Sequence, residues 1–228
     1  MSKIDGLSLE QKACLGSMMG AFIGDSIGSY REFDMGDCPD SLIEEALRMP
    51  GGGCWNLSPG QVTDDSELAM CLMRGLLAGE GKFDLFHHAL YYGHWIAYGP
   101  FDIGNTTRNG LGPLRQCIDN PNPGYAQEAA KRGAGASSMS NGSLMRITPL
   151  AVWARNLPTE DLYNCVRADV SMMHSLQGMW DVCTAYCIGI RVLTKNSGDG
   201  NRAAMALQAV REFASRESTN RNISQWLD

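Results

Sequence analysis

The sequence predicts an all-α fold, on three observations. Apolar residues recur at spacings of three and four along nearly the whole chain; no segment alternates apolar and polar residues as a half-buried strand does; and many of the 26 glycines fall in loops between the periodic stretches. The first helix begins at Ser8, where Ser8-Leu9-Glu10-Gln11 reads as a capping box ahead of Ala13, Leu15, Met18, Met19, Phe22 and Ile23, and it is expected to end near Gly24 to Gly28. A short helix is predicted over Asp40 to Met49, after which Pro50 and the run Gly51-Gly52-Gly53 break the chain. A longer helix starts at Thr63 or Asp64: Leu68, Cys71, Leu72 and Leu76 share one face, and Gly79 stands where a C-terminal glycine belongs. Further helices are predicted near 84–98, 105–118, 124–132, 143–156, 160–173, 177–195 and 201–215. The expected architecture is a compact multi-helix bundle forming one domain over residues 1–228, with Gly-rich loops converging at one end. Chemistry is expected where those loops meet.

Composition narrows the functional classes. With 44% hydrophobic and 19% charged residues the chain has the makings of a packed core. Its net charge of −6 and lack of a basic stripe argue against a nucleic-acid partner. The segment Met1 to Gly6 has no apolar signal core, and no apolar run reaches the roughly 18 residues of a membrane span, so no membrane partner and a cytoplasmic location are expected. The eight cysteines form no CxxC pair; Cys183 and Cys187, four apart on a predicted helix, read as small buried hydrophobes.

Four segments carry possible chemistry. In Gly24-Asp25-Ser26-Ile27-Gly28, followed by Glu32, a carboxylate beside a flexible turn can approach a ligand, although taken alone Asp25 and Glu32 read as solvated loop residues. Val62-Thr63-Asp64-Asp65-Ser66-Glu67 places a hydroxyl and adjacent carboxylates in the opening turn of a helix. These are the oxygen donors a hard cation such as magnesium selects, and equally the residues that cap a helix and complement its dipole. In Phe101 to Arg108, Asn105 reads as a helix cap, and Asp102 as either an ordinary loop residue or a group that holds a substrate hydroxyl or water. Ser140-Asn141-Gly142-Ser143-Leu144-Met145-Arg146 sets a small-residue turn at a predicted helix start, where free amides can receive a diphosphate, or where a plain Asn-Gly turn needs no ligand. His87, His88 and His94 lie in an aromatic helical stretch and read as structural, whereas His174 sits at a predicted helix end.

Taken in order, GDSIGSYREF, VTDDSELAM, FDIGNTTRNGL, SNGSLMRITPL and the His174 region resemble the successive motifs of the ADP-ribosylglycohydrolase family, over roughly residues 12–195. The resemblance implies that Thr63, Asp64 and Asp65 are ligands of a magnesium pair, that Glu32 belongs to a mobile loop above it, and that Asp102 lies near the ribose. It further implies that Asn141, Gly142, Ser143 and Met145 line the substrate site, that His174 contacts ADP-ribose, and that Arg146 braces the loop. The implied reaction is magnesium-dependent hydrolysis of ADP-ribose from a modified protein side chain or a small ADP-ribosyl conjugate, with an anionic pocket favouring the positive charge that develops at the anomeric carbon.

The family's pattern continues into a C-terminal GDxDT-type motif that supplies the remaining metal ligands, and the 228-residue sequence does not contain it. Asn196-Ser197-Gly198-Asp199-Gly200-Asn201 has a passing likeness only and reads as a turn between helices. Relative to the family the domain is therefore expected to be incomplete at its C-terminal side. Two functional classes follow: a hydrolase, or a catalytically inactive relative that binds ADP-ribose or serves a structural, crystallin-like role.

Overall fold

The computed structural model describes residues 4–133, 138–216 and 223. Its α-helices are α1 (Leu9–Gly28), α2 (Asp40–Ala46), α3 (Asp64–Ala78), α4 (Leu85–Tyr98), α5 (Asn105–Leu111), α6 (Gln116–Asp119), α7 (Pro123–Gly133), α8 (Thr148–Trp153), α9 (Thr159–Val170), α10 (Gln177–Lys195) and α11 (Arg202–Ala214). Among the described residues there is no strand, only a single antiparallel bridge between Gly52 and Leu57, and the fold is all-α.

Local chemistry sets most of the boundaries. The capping box at Ser8 forms as the sequence predicts, with Gln11 N donating to Ser8 Oγ at 3.2 Å and Ser8 N to Gln11 Oε1 at 2.9 Å. Asp84 caps α4 through Phe86 N at 3.0 Å, and Gly99, in the left-handed region at φ 74°, closes it. The short α2 ends at Ala46 rather than Met49, because Met49 precedes Pro50 and adopts φ 50°, outside the helical region. Asn196 to Asn201 forms the turn between α10 and α11.

Two predicted helices are broken by proline. The stretch 105–118 divides into α5, a 3-10 turn over Gly112–Arg115 and α6, with Pro113 in the turn. The stretch 143–156 is not one helix either: a 3-10 turn spans Asn141–Ser143, α8 starts only at Thr148, and a second 3-10 turn covers Ala154–Asn156. Pro149 lacks an amide hydrogen and fits only the first turn of a helix, so a helix running through from residue 143 would have placed it in the interior.

The core is built around α3, α4 and α10. Leu68, Leu72 and Leu76 of α3, Ala89 and Tyr92 of α4, Ile147, Leu150 and Ala151 beside and within α8, and Cys183 and Cys187 of α10 are all buried in one cluster. The helices α3 and α4 run in close contact because Gly75 leaves room: a Cβ there would lie 2.7 Å from His88 Cδ2 and 3.0 Å from its Cα. Cys183 and Cys187 are free and buried, as expected of small hydrophobes. This frame holds the N-terminus of α3, the loop before α5 and the 141–145 turn around one cleft.

Candidate active site

The cleft, about 460 Å³, is lined by Glu32, Phe33, Trp55, Asp64, Asp65, Asp102, the segment Ile103 to Thr107, Ser140, Asn141, Gly142 and Met145. Four carboxylates line it, and these described lining residues include no lysine, arginine or histidine. An apolar groove between α10 and α11, about 390 Å³, carries no charged side chain and shares no lining residue with the cleft.

Asp25 builds the acidic wall. It lies in the last turns of α1, within the helix, and its carboxylate accepts from Thr63 N at 2.9 Å, Thr63 Oγ1 at 2.6 Å, Ser66 N at 3.1 Å and Ser66 Oγ at 2.5 Å. Two amides at the start of α3, those of Thr63 and Ser66, are thus satisfied from another helix, and the Thr63 side chain makes no capping bond of its own. The solvated reading of Asp25 is overturned by these four bonds. Its partners lie 38 and 41 residues away, so only a carboxylate near the end of a long helix, followed much later by a hydroxyl-rich helix start, could have hinted at the pairing.

With Asp25 holding the Thr63 and Ser66 amides, Asp64 and Asp65 line the cleft. Burial, then the charges of Asp102, Asp65 and Glu32, raise Asp64 to about 8, and burial together with Asp25 raises Asp65 to about 6. Asp102, only 8% exposed, is raised to about 6 by burial, Glu32 and Asp65. Glu32 approaches from the loop after α1 and accepts from Trp55 Nε1 at 3.1 Å. Glu67, one turn into α3, is held apart by Trp95 Nε1 at 2.6 Å.

The opposite wall is neutral and polar. Asn105, Thr106, Thr107, Ser140, Asn141 and Gly142 supply amides and hydroxyls, and Thr106 Oγ1 lies 2.9 Å from Ser138 Oγ. No α-helix begins at the 141–143 turn, so any anion cradle there relies on local amides and hydroxyls rather than a helix dipole. Ser143 and His174 sit one layer behind, both fully buried and absent from the lining: Ser143 Oγ is 2.7 Å from His174 Nδ1, and Ser140 Oγ is 3.3 Å from Nε2. Burial, then the nearby Arg146, depress His174 to about 4, so it is neutral at physiological pH. Beneath them Arg146 donates to Asp169 Oδ2 at 2.5 Å and to the Tyr92 hydroxyl, while His88 Nδ1 lies 3.1 Å from Asp169 Oδ1. Thr63 is also behind the surface, at 3% exposure, joined to Asp25.

The donor set suits a hard divalent cation in charge and in element, because four carboxylates crowd together with no basic side chain among the described lining residues and burial works against their ionisation. Among the described residues, however, no group of three His, Cys, Asp or Glu side chains converges as a ready-made metal cage.

An all-helical frame around an anionic cleft defines the class of protein, and comparison with known proteins gives the family. The sequence profile of the ADP-ribosylglycohydrolase family matches residues 8–228. A putative ADP-ribosyl glycohydrolase L543 of Acanthamoeba polyphaga mimivirus is 32% identical over 179 residues, covering 75% of this chain and 52% of the relative. The ADP-ribosylarginine hydrolase Tri1 of Pseudomonas putida is 28% identical over 207 residues, 86% of this chain and 50% of its own. The ADP-ribosyl-[dinitrogen reductase] glycohydrolase of Rhodospirillum rubrum is 31% identical over 170 residues, 75% and 53% respectively. A solved ADP-ribosylglycohydrolase-related protein complex shares the fold, with a TM-score of 0.73 at 24% identity over 97% of this chain and 68% of that one. The chain belongs to the ADP-ribosylglycohydrolase family, and spans about half the length of these three relatives.

Proposed function

We propose that the chain is a magnesium-dependent hydrolase that removes ADP-ribose from a modified protein side chain or a related conjugate. The observation that carries the reading is the cleft itself: Asp64, Asp65, Asp102 and Glu32 on one wall, amides and hydroxyls at 105–107 and 140–142 on the other. The acidic wall suits metal ions and a sugar centre that gains positive charge, and the neutral polar wall suits hydroxyls and phosphate oxygens. Asp64 and Asp65 are the residues proposed to hold magnesium, with Thr63 as a third oxygen; bound there, the metal would polarise the substrate oxygens and orient a water. Glu32 and Asp102 are proposed to orient the ribose and accept a proton from water. Asn141, Gly142 and Met145 line the substrate side, with Ser143 and His174 bracing Ser140 and the 141–145 turn from behind.

The names of the relatives, which include hydrolases of ADP-ribosylarginine, support an ADP-ribosylated side chain as the substrate class. The second reading is a catalytically inactive relative that binds ADP-ribose or serves a structural, crystallin-like role.

Calorimetric titration of ADP-ribose, once with magnesium and once with chelator, tests both. Binding that requires magnesium and is lost in Asp65→Asn is the expected result; magnesium-dependent binding without release of ADP-ribose from a modified acceptor leaves the second reading. A folded protein that binds in neither buffer overturns the hydrolase and leaves only the structural role.

A further inference from the structure

Three loops at the mouth of the cleft each present an aromatic ring. Phe33 adjoins Glu32 in sequence, Phe101 adjoins Asp102, and Trp55 stands between them, with ring centroids 6.5 Å from Phe33 at 70° and 6.0 Å from Phe101 at 72°. Both are edge-to-face arrangements, which bind aromatic pairs beyond their burial. The same indole donates to Glu32 Oε2 at 3.1 Å. Trp55 therefore touches the loops that carry two of the four cleft carboxylates.

Its own loop is fixed. Gly52 and Leu57 exchange backbone bonds of 2.7 and 2.9 Å, Leu57 is buried, and Gly53, at φ 66°, lies so close to the end of α1 that a Cβ would come within 2.7 Å of Ser29 O. The Glu32 loop is more exposed and is tied mainly within itself, with Arg31 paired to Asp34 at 2.6 Å and donating to Asp37 O at 3.1 Å. Phe33 is 73% exposed and adopts φ 62°, a left-handed conformation that costs a bulky residue energy and persists where its surroundings enforce it. A rigid turn offering one ring and one donor to a strained, exposed loop is the arrangement of a latch.

We infer that Trp55 is a positioning residue for Glu32: its N–H and its ring contact with Phe33 hold the Glu32 carboxylate over the cleft, while its contact with Phe101 ties in the loop of Asp102. The inference rests on the reading of Glu32 as part of the functional cleft. Trp55 acts through Glu32 and takes no part in proton transfer itself.

Hydrogen exchange over residues 29–38 tests it directly, in the native chain and in Trp55→Phe, Glu32→Ala and the double variant, with α3 as the internal control. Trp55→Phe keeps a ring and removes the donor, so exchange in 29–38 is expected to rise about tenfold while α3 is unchanged. Because both substitutions remove the same bond, the double variant is expected to exchange no faster than the faster single one. Where the native chain releases ADP-ribose, Trp55→Phe is expected to lower kcat with KM little altered. Unchanged exchange in Trp55→Phe, additive effects in the double variant, or a freed loop with unaltered kcat overturns the inference. Failure of the native chain to bind ADP-ribose would defeat the reading of the cleft instead, and the exchange comparison would still decide whether Trp55 orders Glu32.

Discussion

Among single residues, two aspartates of the acidic wall do opposite things to stability. Asp25 accepts four hydrogen bonds that anchor the end of α1 to the start of α3, two of them from otherwise orphaned backbone amides. Asp25→Ala is expected to cost about 3 kcal/mol in urea or guanidinium unfolding, since bonds to a charged acceptor are worth roughly 1.5–3 kcal/mol each but do not add. Asp34→Ala, which breaks exposed contacts alone, the pair with Arg31 and a bond from Gly36 N at 2.8 Å, is the comparison and should cost less than about 1 kcal/mol. Asp64, in contrast, lies in the cleft with its charge disfavoured by burial and by Asp102, so Asp64→Asn is expected to leave the folded chain as stable as before or more so in chelator while removing magnesium-dependent ligand binding. The sequence singles out Asp64 and Asp65 with the capping reading beside them; it is Asp25 that takes the Thr63 and Ser66 amides, while Asp64 and Asp65 line the cleft.

Helices and turns are tied together by a buried polar centre under the substrate wall. Asp169 of α9 receives Arg146 from the segment before α8 and, from α4, the Tyr92 hydroxyl and the His88 ring. Burial alone would raise the Asp169 carboxyl; the opposing charge of Arg146 and the bonds from His88 and Arg146 outweigh it and hold it down at about 2. Asp169→Asn leaves a guanidinium buried without its counter-charge, and the expected loss is about 3–5 kcal/mol in equilibrium unfolding. A loss below about 1 kcal/mol would show that the pair does not hold the wall. The sequence suggests Arg146 as a brace but carries no sign of Asp169, which enters the picture because α9 passes beneath the turn. Boundaries are legible where chemistry is local, as at Ser8, Asp84 and Gly99. They are not at Pro113 and Pro149, whose effect depends on whether the proline falls in a first turn or in an interior.

For the whole molecule the crowded carboxylates make stability depend on pH. Asp64, raised to about 8 from an unfolded value near 4, binds a proton in the folded chain that the unfolded chain has lost; its contribution is present at low pH and is lost as pH rises to about 8. Asp65 and Asp102, raised to about 6, act in the same direction below that pH. His174, lowered to about 4 from near 6.5, acts oppositely: the unfolded chain binds the proton first, so its contribution grows as pH rises from 4 to 6.5. The window from about 6.5 to 8 is free of the histidine effect. There, thermal unfolding in chelator is expected to give a falling Tm with rising pH, and Asp64→Asn is expected to flatten that slope. A native Tm that is level or rises across this window would contradict the shift of Asp64.

The sequence by itself determined the all-helical class, most helix positions, the run of motifs that marks the family, and the acidic start of α3, because periodicity, caps and short motifs are properties of neighbouring residues. Only the tertiary structure decided which polar groups face the cleft and which support it. Asp25, 38 residues before Thr63, became a cap; His174 and Ser143 moved behind the wall; and Trp55 met Glu32 across 23 residues of chain. These outcomes follow from how helices pack and where loops come to rest, and a carboxylate or an imidazole carries no local signal of the partner that packing will bring to it.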